Sequence, residues 1–216
     1  MDEQELGRIS AELEKQPASA AIRWAAEEFG SDLILAASFQ DCVLIDIAVG
    51  VDPGLRVMFL DTGFHFPETL EYVEAVRSRY GLNLEVLTPD ADADAWPCGT
   101  EQCCRRRKVE PLQKVLVGAR AWITGLRRIE TPERANAAIV APDPNRGVVK
   151  INPMAAWSDQ DMAGYTADHD LLVHPLMSAG YLSIGCAPTT FPVAEGADPR
   201  SGRWAGTDKT ECGLHV

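Results

Sequence analysis

No stretch of this 216-residue chain approaches the roughly 18 consecutive apolar residues that a membrane-spanning helix needs. The start, "MDEQELGRIS", lacks the basic n-region and apolar h-region of a secretory signal. These two absences leave the cytoplasm as the expected compartment. Disulfides are rare there, so the six cysteines point to metal binding, redox chemistry or catalysis instead of a covalent framework. Positive charge is also scarce. With 20 Lys and Arg against 32 Asp and Glu, the net charge is −12, which argues against a nucleic-acid partner held by a basic face. No G-x-x-x-x-G-K-[ST] phosphate loop is present, and neither internal repeats nor low-complexity segments are visible.

What is present suits one globular core. Hydrophobic residues make up 46% of the chain and charged residues 24%, ordinary values for a folded domain of this length. Residues 1–30 read as helices, with Pro17 pre-set for a helix start and Gly30 placed to end one. The short apolar runs "DLILAAS", "RVMFLDTG", "LNLEVLTP", "ARAWITG" and "GVVKINP" follow, each bounded by Gly, Pro, Asp or Asn, as buried strands are. Between them, "FPETLEYVEAVRSRYG" predicts a helix with Leu70, Val73, Val76 and Tyr80 on one face. "CRRRKVEPLQKVLVG" predicts another, and "WSDQDMAGYTADHD" a third with Ser158 as N-cap. This alternation predicts an α/β fold: a mostly parallel twisted sheet with helices on both faces, its ligand met at the carboxyl ends of the strands. Residues 31–175 form that core. Residues 176–216, rich in Gly and Pro, read as a tail packed over the site within the same single domain.

The basic residues are unevenly spread. Between Glu101 and Arg134 nine Lys and Arg face only four acids, a patch sized for a small anion, although a solvated helix face would look the same. Several candidates stand at expected strand ends. Ser38 opens a small-residue turn after the first strand, where backbone N–H groups could meet an anion. Asp61 and Thr62 offer an acceptor and a donor after the second, and Gly63 permits close backbone approach. His65 reads as a hydrogen-bonded loop residue. Arg127, Arg128 and Arg134 follow the fourth strand, where forked guanidinium groups suit phosphate or sulfate. Lys108 on the preceding helix, Arg200 and Arg203 in "DPRSGRW", and Lys209 complete the cations.

The cysteines are the least ordinary feature. Cys103 and Cys104 are adjacent, Cys186 lies in "SIGCAPTT", and Cys212 stands four residues from the carboxyl end. Taken together, "CCRRRKVEPL", "LDTG", "TGLRR", "GYLSIGCAPTT" and "KTECGLH" resemble the assimilatory adenylyl-sulfate reductases, thioredoxin-dependent sulfonucleotide reductases. The resemblance runs from about Ala36 to His215. It implies an adenine-nucleotide-binding fold of the PP-loop ATP pyrophosphatase type. It also implies Cys212 as nucleophile, with His215 among the substrate-binding residues. Cys212 would attack the sulfur of adenosine 5'-phosphosulfate, expel AMP, and carry an S-sulfonate that thioredoxin releases as sulfite, in assimilatory sulfate reduction and cysteine biosynthesis.

A four-iron, four-sulfur cluster is implied as well, held by a Cys-Cys pair and a Cys-x-x-Cys motif. Cys103, Cys104 and Cys186 match three ligands, but the fourth position is Thr189, and a hydroxyl is a poor iron ligand beside thiolates. Three explanations stay open: loss of the cluster, three cysteines with an exogenous ligand, or replacement by Cys98. Cys42 matches no cluster position and reads as a helix residue. Retention of three cysteines favours adenylyl sulfate over its 3'-phosphorylated form, the substrate of most cluster-free members. That second substrate remains an alternative, and so does a non-catalytic nucleotide- or cluster-binding redox protein, although the terminal nucleophile argues against the latter. Adenylating relatives are disfavoured because no S-G-G-x-D-S loop is present. The resemblance leaves room for a homo-oligomer.

Overall fold

A computed structural model describes residues 1–215. Two helices, α1 (Glu3–Leu13) and α2 (Ala18–Phe29), precede the sheet. Asp2 starts α1 by accepting the Glu5 N–H at 2.8 Å, and Gly30, with φ 51°, ends α2 in a conformation that side chains resist. The strands are β1 (Leu33–Ala37), β2 (Arg56–Leu60), β3 (Leu84–Leu87), β4 (Ala121–Thr124), β5 (Val140–Asp143) and β6 (Val148–Ile151). They form one sheet in the order β3-β2-β1-β4-β6-β5. All neighbours are parallel except β5 and β6. The apolar runs therefore become strands as expected, with β5 an addition, but β3 lies at the sheet edge with Leu84 and Leu87 only half-buried and Val86 exposed. Pro142 of β5 cannot donate to a ladder, and that strand sits at the other sheet edge, where that defect is tolerated.

Helices cover both faces. On one side α2, α3 (Val43–Val51) and α4 (Pro67–Tyr80) bury Ile22, Ile45 and Val76 against Leu33, Leu35 and Val57. On the other side α6 (Glu110–Leu116) packs Leu112 and Leu116 on Ile34, Met58 and Trp122. Burial of this apolar area is the dominant stabilising term. The inward face of α4 departs from expectation. Thr69, Tyr72, Val73 and Val76 are buried, whereas Leu70 is 40% exposed. Positions 69, 72, 73 and 76 form a continuous helical stripe, and Leu70 lies beside it.

The helix expected from Cys104 onward is interrupted. A short α5 (Glu101–Cys104) leads into a π-helical turn, Arg105–Val109, before α6. Pro111 has no N–H to give the carbonyl of Arg107, and the widened turn absorbs that defect. The last helix, α7 (Asp159–Asp168), starts at Ser158 as predicted, with a reciprocal box between Ser158 and Asp161. Beyond it the chain forms single 3-10 turns, Pro175–Ala179 and Ala187–Thr189, and a lone bridge between Thr190 and Arg203. No helix among the described residues is long and apolar enough to cross a membrane.

Candidate functional site

Strand order reverses between β1 and β4, and a cleft opens at the carboxyl ends of β1, β2 and β4. Ligands meet α/β sheets at such a switch point. Ala37, Ser38, Leu60, Thr62, Thr124 and Arg127 contribute to its wall from the strand ends. The tail closes the cleft, bringing in Arg200, Arg203, Glu211, Cys212 and His215. The fold thus gathers residues separated by up to most of the chain.

Cys212 faces this cleft with Lys108, Arg134 and Arg203 as its cationic surroundings. Burial works against a charged Lys108, but the negative charge that Cys212 and Cys186 present to it as thiolates prevails and holds its pKa above the ordinary lysine value. Arg203 is pinned between neighbours. Its Nη1 donates to Ser183 at 3.2 Å and its guanidinium lies 4.6 Å from the Trp204 ring centroid. Its buried Nε has no partner among the described residues. Gly185 leaves room for this group, because a Cβ there would overlap the guanidinium. His215 stacks on Trp122, ring centroids 6.0 Å apart and planes 7° from parallel. Burial, then Lys150 and Arg134 nearby, push its pKa well below that of free histidine, so the imidazole is neutral.

Glu211, beside the cysteine, holds the tail down. Arg134 Nη2 donates to its Oε2 at 2.7 Å and the Thr131 hydroxyl to its Oε1 at 3.1 Å. Arg134 also pairs with Glu130. Burial would raise the Glu211 pKa, but the hydrogen bond and charge of Arg134 outweigh it and lower the pKa. Arg200 stands 3.9 Å away and donates to the Thr210 carbonyl. Arg134 and Arg200 are therefore at the cleft as expected, but they engage a tail carboxylate that sequence reasoning passed over. An acid next to the last cysteine, facing a patch of arginines, was the available signal.

Four expected substrate contacts are placed elsewhere. Arg128 turns away from the cleft and clamps Glu14 at 2.6 and 2.7 Å. Arg127, the neighbour that does reach the cleft, pairs with Asp159 at 2.8 Å. Asp61 builds its own turn by accepting the Gly63 N–H at 2.9 Å. Gly63, at φ 71°, makes room for the buried Arg107, which donates to the Thr62 carbonyl at 2.6 Å. Lys209 reaches the Gly99 carbonyl at 2.9 Å and Cys104 Sγ at 3.1 Å, away from the cleft. The anion-binding turn after β1 is also modified. Ser38 lines the cleft, but the Asp41 carboxylate accepts the Val43 N–H at 3.1 Å and takes the start of α3 for itself. Cys42 is the buried N-cap residue of that helix. His65 Nε2 meets the Leu60 carbonyl at 3.0 Å, as a loop histidine.

Behind the cleft, and sharing Thr62 and Lys108 with it, lies a small pocket walled by Cys98, Cys103, Cys104 and Cys186. Cys103, Cys104 and Cys186 are buried. Cys98 shares this pocket with Cys186, and Thr62 Oγ1 lies 3.5 Å from Cys186 Sγ. The neighbouring Cys98, Lys108 and the Thr62 hydroxyl together outweigh burial and hold the Cys186 pKa below the ordinary thiol value. No group of three or more His, Cys, Asp or Glu among the described residues converges on a point, as one ion would need. A four-iron cluster asks for another arrangement, since each thiolate binds its own iron. Four thiols around one pocket, with Lys108 and Lys209 to offset thiolate charge, fit that requirement.

Residues 33–192 match the phosphoadenosine phosphosulfate reductase domain. An adenosine 5'-phosphosulfate reductase of Rhodococcus opacus is 47% identical, the match spanning 97% of this chain and 92% of the relative. The enzyme of the same name from Mycolicibacterium smegmatis is 48% identical, with the same coverage of both chains. Among solved structures, the phosphoadenylyl-sulfate reductase of Candida auris, in a phosphate complex, superposes with a TM-score of 0.78 at 23% identity. It covers 88% of this chain and 98% of that one. A Candida glabrata FMN adenylyltransferase shares the fold at a TM-score of 0.60 and 17% identity. With its reductase domain continuous from β1 past Cys186 and its relatives matched almost end to end, the chain belongs to the phosphoadenosine phosphosulfate reductase family.

Proposed function

We propose that this protein reduces adenosine 5'-phosphosulfate to sulfite and AMP, with thioredoxin as the electron donor. The observation that carries the reading is Cys212, held on a closed tail inside a strand-end cleft and surrounded by Lys108, Arg134 and Arg203. The relatives named adenosine 5'-phosphosulfate reductase, similar across nearly the whole chain, support the substrate. The loops after β1, β2 and β4 hold the nucleotide, and the cations hold its phosphosulfate.

The Cys212 thiolate attacks the sulfur of the sulfonate group. The sulfur–oxygen bond to the phosphate breaks, its electron pair leaves with AMP, and Cys212 carries an S-sulfonate. Lys108 and Arg203 offset the charge that shifts to the leaving phosphate. A thioredoxin thiolate then attacks Cys212 Sγ, and sulfite departs with the electron pair of the sulfur–sulfur bond. The second thioredoxin thiol resolves the mixed disulfide and returns Cys212 as a thiol. Sulfur gains two electrons, and the thioredoxin dithiol supplies them. For that exchange the tail must swing out, and it is held by side-chain contacts of Glu211, Lys209 and Arg200 with no strand ladder.

Cys103, Cys104 and Cys186 would hold a four-iron, four-sulfur cluster. When bound it supplies a centre of charge beside Lys108 and ties the α5 region to the Cys186 segment. Cys212→Ser tests the central step. It is expected to abolish sulfite release while leaving nucleotide binding within a few-fold, and the parent protein mixed with substrate alone should gain one sulfonate on Cys212 by mass spectrometry. Near-parental turnover by Cys212→Ser would end this mechanism. Assays with adenylyl sulfate and with its 3'-phosphorylated form, side by side, decide the substrate.

A further inference from the structure

Thr189 occupies the position where the family pattern has its fourth cysteine, and its hydroxyl is engaged by the backbone. Its Oγ1 donates to the Cys186 carbonyl at 3.4 Å, the same oxygen that its backbone N–H meets at 3.1 Å. Its methyl carbon faces Gly99, where an added Cβ would stand only 2.8 Å away. Gly99 has φ 93°, a left-handed conformation that few other residues adopt, and it lets the loop ahead of α5 lie directly over Thr189.

That loop delivers a thiol into the space. Cys98 lines the same pocket as Cys103, Cys104, Cys186 and Thr189. Two contacts fix the loop. Lys209 Nζ ties the Gly99 carbonyl at 2.9 Å to Cys104 Sγ at 3.1 Å. Thr100 Oγ1 accepts the Cys103 N–H at 3.2 Å and starts the helix that bears the cysteine pair. Cys98 is thus set against the pocket by the same short segment that positions two of its other thiols.

We propose that Cys98, not Thr189, supplies the fourth thiolate of the cluster site, completing a Cys98, Cys103, Cys104 and Cys186 set. The inference rests on the cluster reading above and adds which residue closes the site. Thiolates normally make all four bonds to such a cluster, and a threonine hydroxyl bound to a carbonyl is not a substitute. In this set a Cys-x4-Cys-Cys stretch and one later cysteine replace the Cys-Cys and Cys-x-x-Cys pattern.

The test is iron and acid-labile sulfide analysis with electron paramagnetic resonance of full-length proteins prepared without oxygen. The parent protein is expected to hold about four irons per chain. Cys98→Ser should lose at least one iron, seen as a three-iron signal or as loss of most of the cluster. The exchange variant, Cys98→Ser with Thr189→Cys, should regain the parental iron content, because it returns the thiol to the family position in the same pocket. This recovery also separates ligand loss from misfolding. A Cys98→Ser protein with parental iron and an unchanged spectrum would overturn the role of Cys98 and leave the cluster standing. Iron in Thr189→Cys but not in the parent would overturn it too. Absence of iron from all of them, after reconstitution with iron and sulfide, would remove the cluster reading itself.

Discussion

Arg127 and Arg128 are neighbours in the chain, but they serve opposite sides of the loop that follows β4. Arg127 has extended backbone, φ −122° and ψ 142°, and successive side chains of extended chain point opposite ways. Sequence therefore marks both as candidates and cannot say which one faces the ligand. Arg127 is expected to matter for turnover and Arg128 for stability alone. Arg127→Ala should reduce kcat/KM by about 1–3 kcal/mol of transition-state stabilisation, the range for charge-assisted contacts. Arg128→Ala should leave kcat/KM unchanged and lower stability by on the order of 1 kcal/mol, since the clamp to Glu14 is partly exposed. Steady-state kinetics and denaturant unfolding on the same two proteins separate the effects, and equal kinetic losses would contradict this assignment. Lys209 illustrates the same limit. It stands three residues from Cys212, yet its ammonium reaches the Gly99 carbonyl and Cys104, because the tail crosses the cysteine pocket before it enters the cleft.

The regular elements were legible because buried parallel strands and amphipathic helices leave periodic marks, as "LILAA" and "RVMFL" do. The tail, which has only isolated turns and one bridge, leaves none. Its path is set by contacts at glycines whose need for smallness no local pattern reveals. Two of them should respond differently. At Gly202 an added Cβ would strike the Phe191 carbonyl, a backbone atom that cannot move without opening the chain next to the Thr190–Arg203 bridge. Gly202→Ala is expected to destabilise by about 1–3 kcal/mol, as overpacking does, and to expose the tail to proteolysis. At Gly185 the added atom meets the guanidinium of Arg203, a side-chain end that can move without opening the chain, at the cost of its bond to Ser183. Gly185→Ala should keep its melting temperature within a few degrees of the parent, yet lose activity as Arg203 moves off the cleft. Limited proteolysis with kinetics checks the pair; a stable and fully active Gly185→Ala would show that Arg203 need not be where it lies.

Across the whole molecule, one buried histidine joins the chain leading into the tail to the α/β core, and it sets an acid limit on stability. His174 is 1% exposed. Its Nδ1 accepts the Leu176 N–H at 3.2 Å, so in the neutral ring the proton sits on Nε2, which donates to Thr69 of α4 at 3.0 Å. The ring also lies 5.0 Å from Tyr72, centroid to centroid. Protonation would place a second N–H against the Leu176 donor and a charge in the core. Burial accordingly lowers the pKa from 6.5 to about 4, only slightly opposed by Glu68. The unfolded chain binds its proton between those two values while the folded chain does not, so unfolding takes up a proton in that window. Stability from this group is complete above pH 6.5 and declines as pH falls toward 4, by on the order of 3 kcal/mol in total. Glu211, with its lowered pKa, adds a further loss at the acidic end as its bond to Arg134 weakens. His174→Gln, which can accept from Leu176 and donate to Thr69 without titrating, is expected to flatten the fall between pH 6.5 and 4. Melting temperatures across that range check this, and an identical slope in parent and variant would assign the acid limit to the carboxylates.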